Sequence, residues 1–154
     1  NRHPSIAPYE SFPASDRDFI LAAANDRLWQ RTCAVINRPD LAADARFTTN
    51  TERRDNVTPL VAELGATFRT QPAAHWIQKL RSAGVPAGPI NRIDEAFDWA
   101  EEQGLEPTVH FESDGVRTVR SPIRLSDTSV GTDLPPPRLD EHGTEIRDWL
   151  EQDP

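Results

Sequence analysis

Four short stretches carry side chains able to do chemistry. Asn1-Arg2-His3-Pro4 sets an amide, a guanidinium and an imidazole side by side. Together they can bind a carboxylate or an acyl group. The competing reading is a frayed terminus, the usual state of first residues, and on local grounds it is the stronger one. Asn25-Asp26 closes an apolar run and opens a helical one. Polar residues at such a junction often line a site, and a plain helix N-cap explains them equally well. In Gly84-Val85-Pro86-Ala87-Gly88-Pro89-Ile90 two prolines flank Gly88. That fixes the backbone and lets another surface approach closely; a rigid turn after a helix is the commoner use. Asp140, Thr144 and Glu145 in Leu139–Glu145 read as a capped helix start, with His142 held neutral near the positive end of the helix dipole.

Other chemistries find no support. His3, His75, His110 and His142 stand far apart and match no zinc-binding spacing, so no metal is expected. There is no nucleophile elbow, phosphate-binding loop or dinucleotide fingerprint. Cys33 falls on the apolar face of a helix, where a small buried residue is expected and not a reactive thiolate.

The frame that must position these residues is lean. Only 36% of the 154 residues are hydrophobic, although four Trp and six Phe supply large apolar faces. Seventeen basic against 25 acidic residues leave a net charge of −8. An acidic chain is not drawn to nucleic acid or to anionic lipid, so neither is expected as a partner. No apolar stretch approaches the roughly 20 residues of a membrane span. The single cysteine points to a reducing, cytoplasmic setting. The Asn56-Val57-Thr58 sequon is read as chance.

Along the chain, Asp18–Ala24 reads as a buried strand. Asn25 or Asp26 then caps a helix whose Leu28, Trp29, Thr32, Cys33 and Ile36 share a face. A Pro-started turn or short helix follows, anchored by Phe47. Thr58-Pro59 reads as a cap plus first helical residue, leading to Leu60, Val61, Leu64 and Phe68 at helical spacing. A further helix opens at Gln71-Pro72, carries Trp76, Ile77 and Leu80, and stops at Gly84. The next helix turns Ile93, Phe97 and Ala100 inward and ends at Gly104. Alternation around Asp114-Gly115 predicts a hairpin with Val109 and Phe111 on one face. Residues 121–126 are expected as another short strand, 127–138 as an extended Pro-rich connector, and the end of the chain as a helix whose Ile146, Trp149 and Leu150 need a partner surface. The fold class is therefore α+β: a small mixed domain with helices, a short sheet and a hairpin, then a connector and a C-terminal helix.

The order of three motifs is more specific than any one of them. Residues 1–29 (NRHPSIAPYESFPASDRDFILAAANDRLW), then GVPAGPI, then SPIRLSDT followed by PPPRLDEHGTEI, resemble the C-terminal portion of class III CoA-transferases, the CaiB/BaiF family. The resemblance covers essentially the whole chain. It implies a small domain over 1–120 and a connector and helix over 121–154 that return to an absent Rossmann-like large domain lying N-terminal to this chain. It further implies interlaced homodimers. In the family an Asp carboxylate attacks an acyl-CoA thioester and coenzyme A passes to an acceptor acid through covalent intermediates. That Asp belongs to the upstream half, so no catalytic nucleophile and no bound cofactor are expected here. Coenzyme A, as acyl-CoA, is a substrate of the parent enzyme, and this chain alone is expected to be inactive. Asn1, Arg2, His3, Asn25, Asp26 and Gly88 are the implied substrate-binding candidates, with Asp26 where racemase-type members carry an active-site acid. His142 matches the family's Gly-Glu-His motif without an assigned role. Ala24, Asp140 and the Ser15-Asp16-Arg17-Asp18 turn replace glycine-containing family patterns. The alternatives are an α-methylacyl-CoA racemase-type enzyme of the same family, or a non-catalytic interaction module.

Overall fold

The computed structural model describes residues 1–111, 115–128 and 134–152. The chain forms two compact units, Asn1–Ile90 and Asn91–Pro154.

In the first unit, β1 (Tyr9–Pro13) and β2 (Asp18–Ala22) form an antiparallel hairpin with Phe12 opposite Phe19. Alternate side chains point inward, so Phe12, Phe19 and Leu21 are fully buried. Glu10 shares that inward face at 6% exposure. An acidic residue at an inward position masks β1 as a strand in the sequence, where only Asp18–Ala24 stands out. The Ala87-Gly88-Pro89 segment is not helical, as its prolines require. It forms β3 (Ala87–Pro89), antiparallel to β2, giving the order β1-β2-β3.

Five helices complete the unit. The first, α1 (Asp26–Val35), starts at Asn25, whose Oδ1 accepts from the Leu28 amide at 2.9 Å. The short α2 (Pro39–Ala43) has proline in its first turn, where a missing N–H costs nothing. The next, α3 (Asn50–Asp55), was not expected. It opens on a reciprocal capping box between Thr49 and Glu52. Its neighbour α4 (Val57–Phe68) begins one residue before Thr58. Thr58 is therefore not the cap, and Pro59 sits inside the first turn, where its lack of N–H is tolerated. The last, α5 (Ala73–Ser82), is capped across the unit: Asp16, in the β1–β2 turn, accepts the Ala73 amide at 2.8 Å. Gly84 ends it with φ of 71°, a conformation that favours glycine.

The core runs from the inner face of the sheet to α1, α4 and α5. Phe68 is its aromatic hub, edge-on to Phe12 (5.4 Å), Phe19 (5.0 Å) and Trp76 (5.4 Å) between ring centroids. The Trp76 indole N–H donates to the Phe68 carbonyl at 2.8 Å, so its polar edge is satisfied inside the core.

The second unit contains α6 (Ile93–Glu102), an antiparallel pair of β4 (Thr108–His110) and β5 (Arg117–Val119), and α7 (Gly143–Gln152). The hairpin stands as expected. Gly115 takes φ of 72°, while its companion Asp114 lies outside the described residues. Val109 is buried and Phe111 half-buried. Phe97 and Ala100 are half-buried, but Ile93 is 79% exposed, so it does not turn inward as the helical spacing suggested. Residues 121–126 form no strand. Among the described residues they have no neighbouring strand to bond, and two of their apolar side chains, Ile123 and Leu125, are exposed. Ile146, Trp149 and Leu150 of α7 are exposed as well. No helix among the described residues is long and apolar enough to cross a membrane.

Candidate functional site

Residues 1–8 are not a frayed terminus; β1 organises them residue by residue. Asn1 Nδ2 donates to Ser11 Oγ. Arg2 grips Glu10 through Nε at 2.8 Å and Nη2 at 3.3 Å, which supplies the counter-charge for the inward-facing carboxylate. The His3 amide donates to the Tyr9 carbonyl at 2.9 Å, and its ring stacks on Tyr9 at 5.1 Å with planes 10° apart. The Ser5 amide donates to His3 Nδ1 at 3.2 Å. Nδ1 is the acceptor in this contact, which leaves Nε2 as the ring's N–H donor. His3 thus offers an N–H donor from a fixed ring.

The helix α3 holds the rest of this loop. Asn50 clasps it from both sides of its amide: Nδ2 donates to the Ser5 carbonyl at 2.9 Å, and Oδ1 accepts from the Ala7 amide at 3.0 Å. Arg53 is fully buried. Its Nε donates to the Ala7 carbonyl at 2.6 Å, Nη1 to the Phe47 and Thr48 carbonyls at 3.0 and 3.2 Å, and Nη2 to Asp26 Oδ1 at 2.7 Å. Its guanidinium also lies 5.5 Å from the centre of the buried Trp29 ring. The Pro8 carbonyl, at the end of the loop, accepts the Ala23 amide at the end of β2.

Each candidate now has a place. Asn1, Arg2 and His3 are fixed along β1. Asp26, at the start of α1, joins them through Arg53 and keeps a half-exposed side chain. Asn25 spends its side chain on the helix cap. Gly88 lies in β3, opposite Ile20, on the far side of β2 from β1, and is not brought into this group. A Cβ there would meet Arg81 Nη2 at 3.4 Å, and Arg81 Nε donates to the Ala87 carbonyl at 2.7 Å. His142 is exposed, 4.0 Å from Glu145.

A hollow of about 180 Å³ lies beside the loop, with Arg2, His3 and Ile6 on one side and Arg54, Asp55 and Val57 on the other. Arg2 and His3 place nitrogen donors on its lining, while Asp26 is not among the lining residues and is linked to the loop only through Arg53. Cys33 adds no nucleophile, since burial pushes its thiol up to about 12. Among the described residues no group of three or more His, Cys, Asp or Glu could hold a metal ion. The residues that reading by type missed are Glu10, Asn50 and Arg53. The Thr49-x-x-Glu52 capping box signals the helix that carries the last two. Nothing local signals the pairing of Arg53 with Asp26, 27 residues apart.

Residues 1–143 match the model of CoA-transferase family III. Acetyl-CoA:oxalate CoA-transferase of Acetobacter aceti is 36% identical over 96% of this chain and 38% of its own length. Succinyl-CoA:glutarate CoA-transferase of Mus musculus is 31% identical over 94% of the chain and 34% of its own length. The crystal structure of a CaiB/BaiF family protein from Brucella suis superposes with a TM-score of 0.79 at 35% identity, covering 97% of this chain and 39% of that one. The chain thus spans little more than a third of the length of the relatives it matches. With the family model matched over residues 1–143, and with this fold and sequence shared with those relatives, this chain belongs to CoA-transferase family III, the CaiB/BaiF family.

Proposed function

We propose that this chain is the C-terminal part of an enzyme that moves coenzyme A from an acyl-CoA donor to a short organic acid. The observation that carries the reading is the tied loop: Asn1, Arg2 and His3 locked onto β1 and joined to Asp26 by a buried arginine. Holding these side chains in one geometry spends their conformational entropy before a ligand arrives, so a ligand that meets them loses less on binding. The relatives named for oxalate and glutarate favour an acid carrying a second carboxylate. They are transferases, so the racemase alternative is not favoured.

In this reading a carboxylate nucleophile lies N-terminal to residue 1. It attacks the thioester carbonyl and expels the CoA thiolate, leaving an acyl–enzyme anhydride. The CoA thiolate then attacks the enzyme-side carbonyl of the anhydride and releases the donor acid, giving an enzyme–CoA thioester. The acceptor carboxylate attacks that thioester and expels the thiolate again, and the thiolate attacks the acceptor carbonyl of the new anhydride, forming the product thioester and freeing the enzyme carboxylate. Arg2 and His3 orient the acid, and Asp26 accepts a hydrogen bond from the bound substrate. Residues 1–120 form the small domain. Residues 121–154 return to a Rossmann-like large domain, on which Ile146, Trp149 and Leu150 pack, within a homodimer in the cytoplasm.

The test is CoA transfer by the full-length gene product, from acetyl-CoA or succinyl-CoA to oxalate and glutarate, followed by chromatography of the CoA esters. His3→Ala and Asp26→Ala should each lower turnover at least tenfold. Absence of transfer with every donor–acid pair would refute the transferase reading.

A further inference from the structure

We infer that Arg53 is a positioning residue that makes the Asn1–Pro8 loop and Asp26 act as one unit. The inference rests on the transferase reading above, and it concerns a residue two helices away in sequence from the loop it serves.

Four of the five guanidinium N–H groups are spent, on three backbone carbonyls and one carboxylate. The carbonyls come from two segments, Ala7 in the loop and Phe47 and Thr48 before α3. The carboxylate comes from α1. A fully buried cation requires a counter-charge, and among the described residues Asp26 alone provides an ion pair. Asp26 is in turn held by only one oxygen. Oδ1 receives Arg53, and Oδ2 carries no hydrogen bond among the described residues, on a side chain 57% exposed. The clamp therefore presents one free carboxylate oxygen in a fixed direction while the same guanidinium fixes the backbone of the loop. Lysine cannot replace it. An ammonium lacks the planar fork that reaches four acceptors and lies along Trp29.

The first arm of the test uses this chain. Arg53→Lys should speed amide exchange at His3 and Ala23, whose partners are Tyr9 and Pro8, by about tenfold or more. Amides of the β2 core, such as Ile20, should be unchanged. A uniform rise at all amides would show only lost global stability and would overturn the clamp. The second arm uses the full-length gene product in a cycle with Asp26→Asn, which keeps the shape and an acceptor but removes the charge. Arg53→Lys should lower kcat about tenfold or more with KM for acyl-CoA unchanged, and should cost at least threefold less when added to Asp26→Asn than in the unmodified background. Independent, multiplying losses, or a threefold or smaller effect in the unmodified background, would overturn the inference. If the unmodified full-length protein transfers no CoA, the transferase reading fails, and the exchange arm decides the clamp alone.

Discussion

Asn50 gives the sharpest check on how the loop is held, because its two amide atoms do different jobs. Oδ1 accepts from the Ala7 amide at 3.0 Å, and Nδ2 donates to the Ser5 carbonyl at 2.9 Å. Ala7 is 1% exposed, whereas Ser5 is exposed. Asn50→Ala removes both bonds, but the losses are unequal. The Ser5 carbonyl turns to water at little cost. The Ala7 N–H is left buried without an acceptor, a penalty of about 1–3 kcal/mol. In local opening this corresponds to roughly 5–150-fold faster exchange of the Ala7 amide. Asn50→Asp separates the two roles. A carboxylate still accepts from Ala7, now with charge assistance, while an oxygen replaces the donor facing Ser5. Its charge also falls on the first residue of α3, where the helix dipole favours an anion by about 0.3–1 kcal/mol. Ala7 should therefore stay protected in Asn50→Asp while Ser5 loosens. The assay is residue-resolved hydrogen exchange on the two variants, with urea unfolding as the global reference. Unchanged Ala7 exchange in Asn50→Ala, or equal acceleration in both variants, would refute this account.

Three further outcomes follow from the same geometry. Phe68→Ala removes the hub of the aromatic cluster, fully buried between Phe12, Phe19 and Trp76. It should cost about 3–5 kcal/mol in urea unfolding, and a loss below about 1 kcal/mol would show that the hub does not carry the core. The Asp16 carboxyl is held below its ordinary 3.8, first by the Ala73 amide it caps. A depressed folded-state value means that its stabilisation is complete above pH 3.8 and fades as pH falls through the lower folded value. Acid unfolding should therefore be less steep below pH 3.8 in Asp16→Asn than in the parent chain, and superimposable curves would contradict the cap. The Cys33 thiol, pushed up to about 12 by burial, should resist a thiol reagent at neutral pH until the chain unfolds; prompt labelling of the native chain would count against its burial.

What the sequence makes legible here is decided by whether the responsible interaction is local. The start of α1 is readable because Asn25 reaches only to Leu28, and the end of α5 because Gly84 itself takes the left-handed turn. The α3 helix is hidden in the sequence because its inward residue is Arg53, so no apolar periodicity marks it, although its capping box is in plain view. Ile93 and residues 121–126 show the converse error. Periodicity tells which side chains share a face and is silent on whether anything lies against that face, and Ile93, Ile123 and Leu125 remain exposed. The site divides along the same line. Asn1, Arg2, His3 and Asp26 are recognisable by type, yet the first three take their geometry from Ser11, Glu10 and Tyr9, and Asp26 takes its geometry from Arg53. Arg53 reaches Ala7 across 46 residues. A polar contact of that span has no period and no composition signature, and its energy comes from burial that only the folded chain creates. A site assembled by such a contact is fixed only once the core has formed. Damage to Arg53 should therefore disturb the loop and Asp26 together while leaving β2 intact.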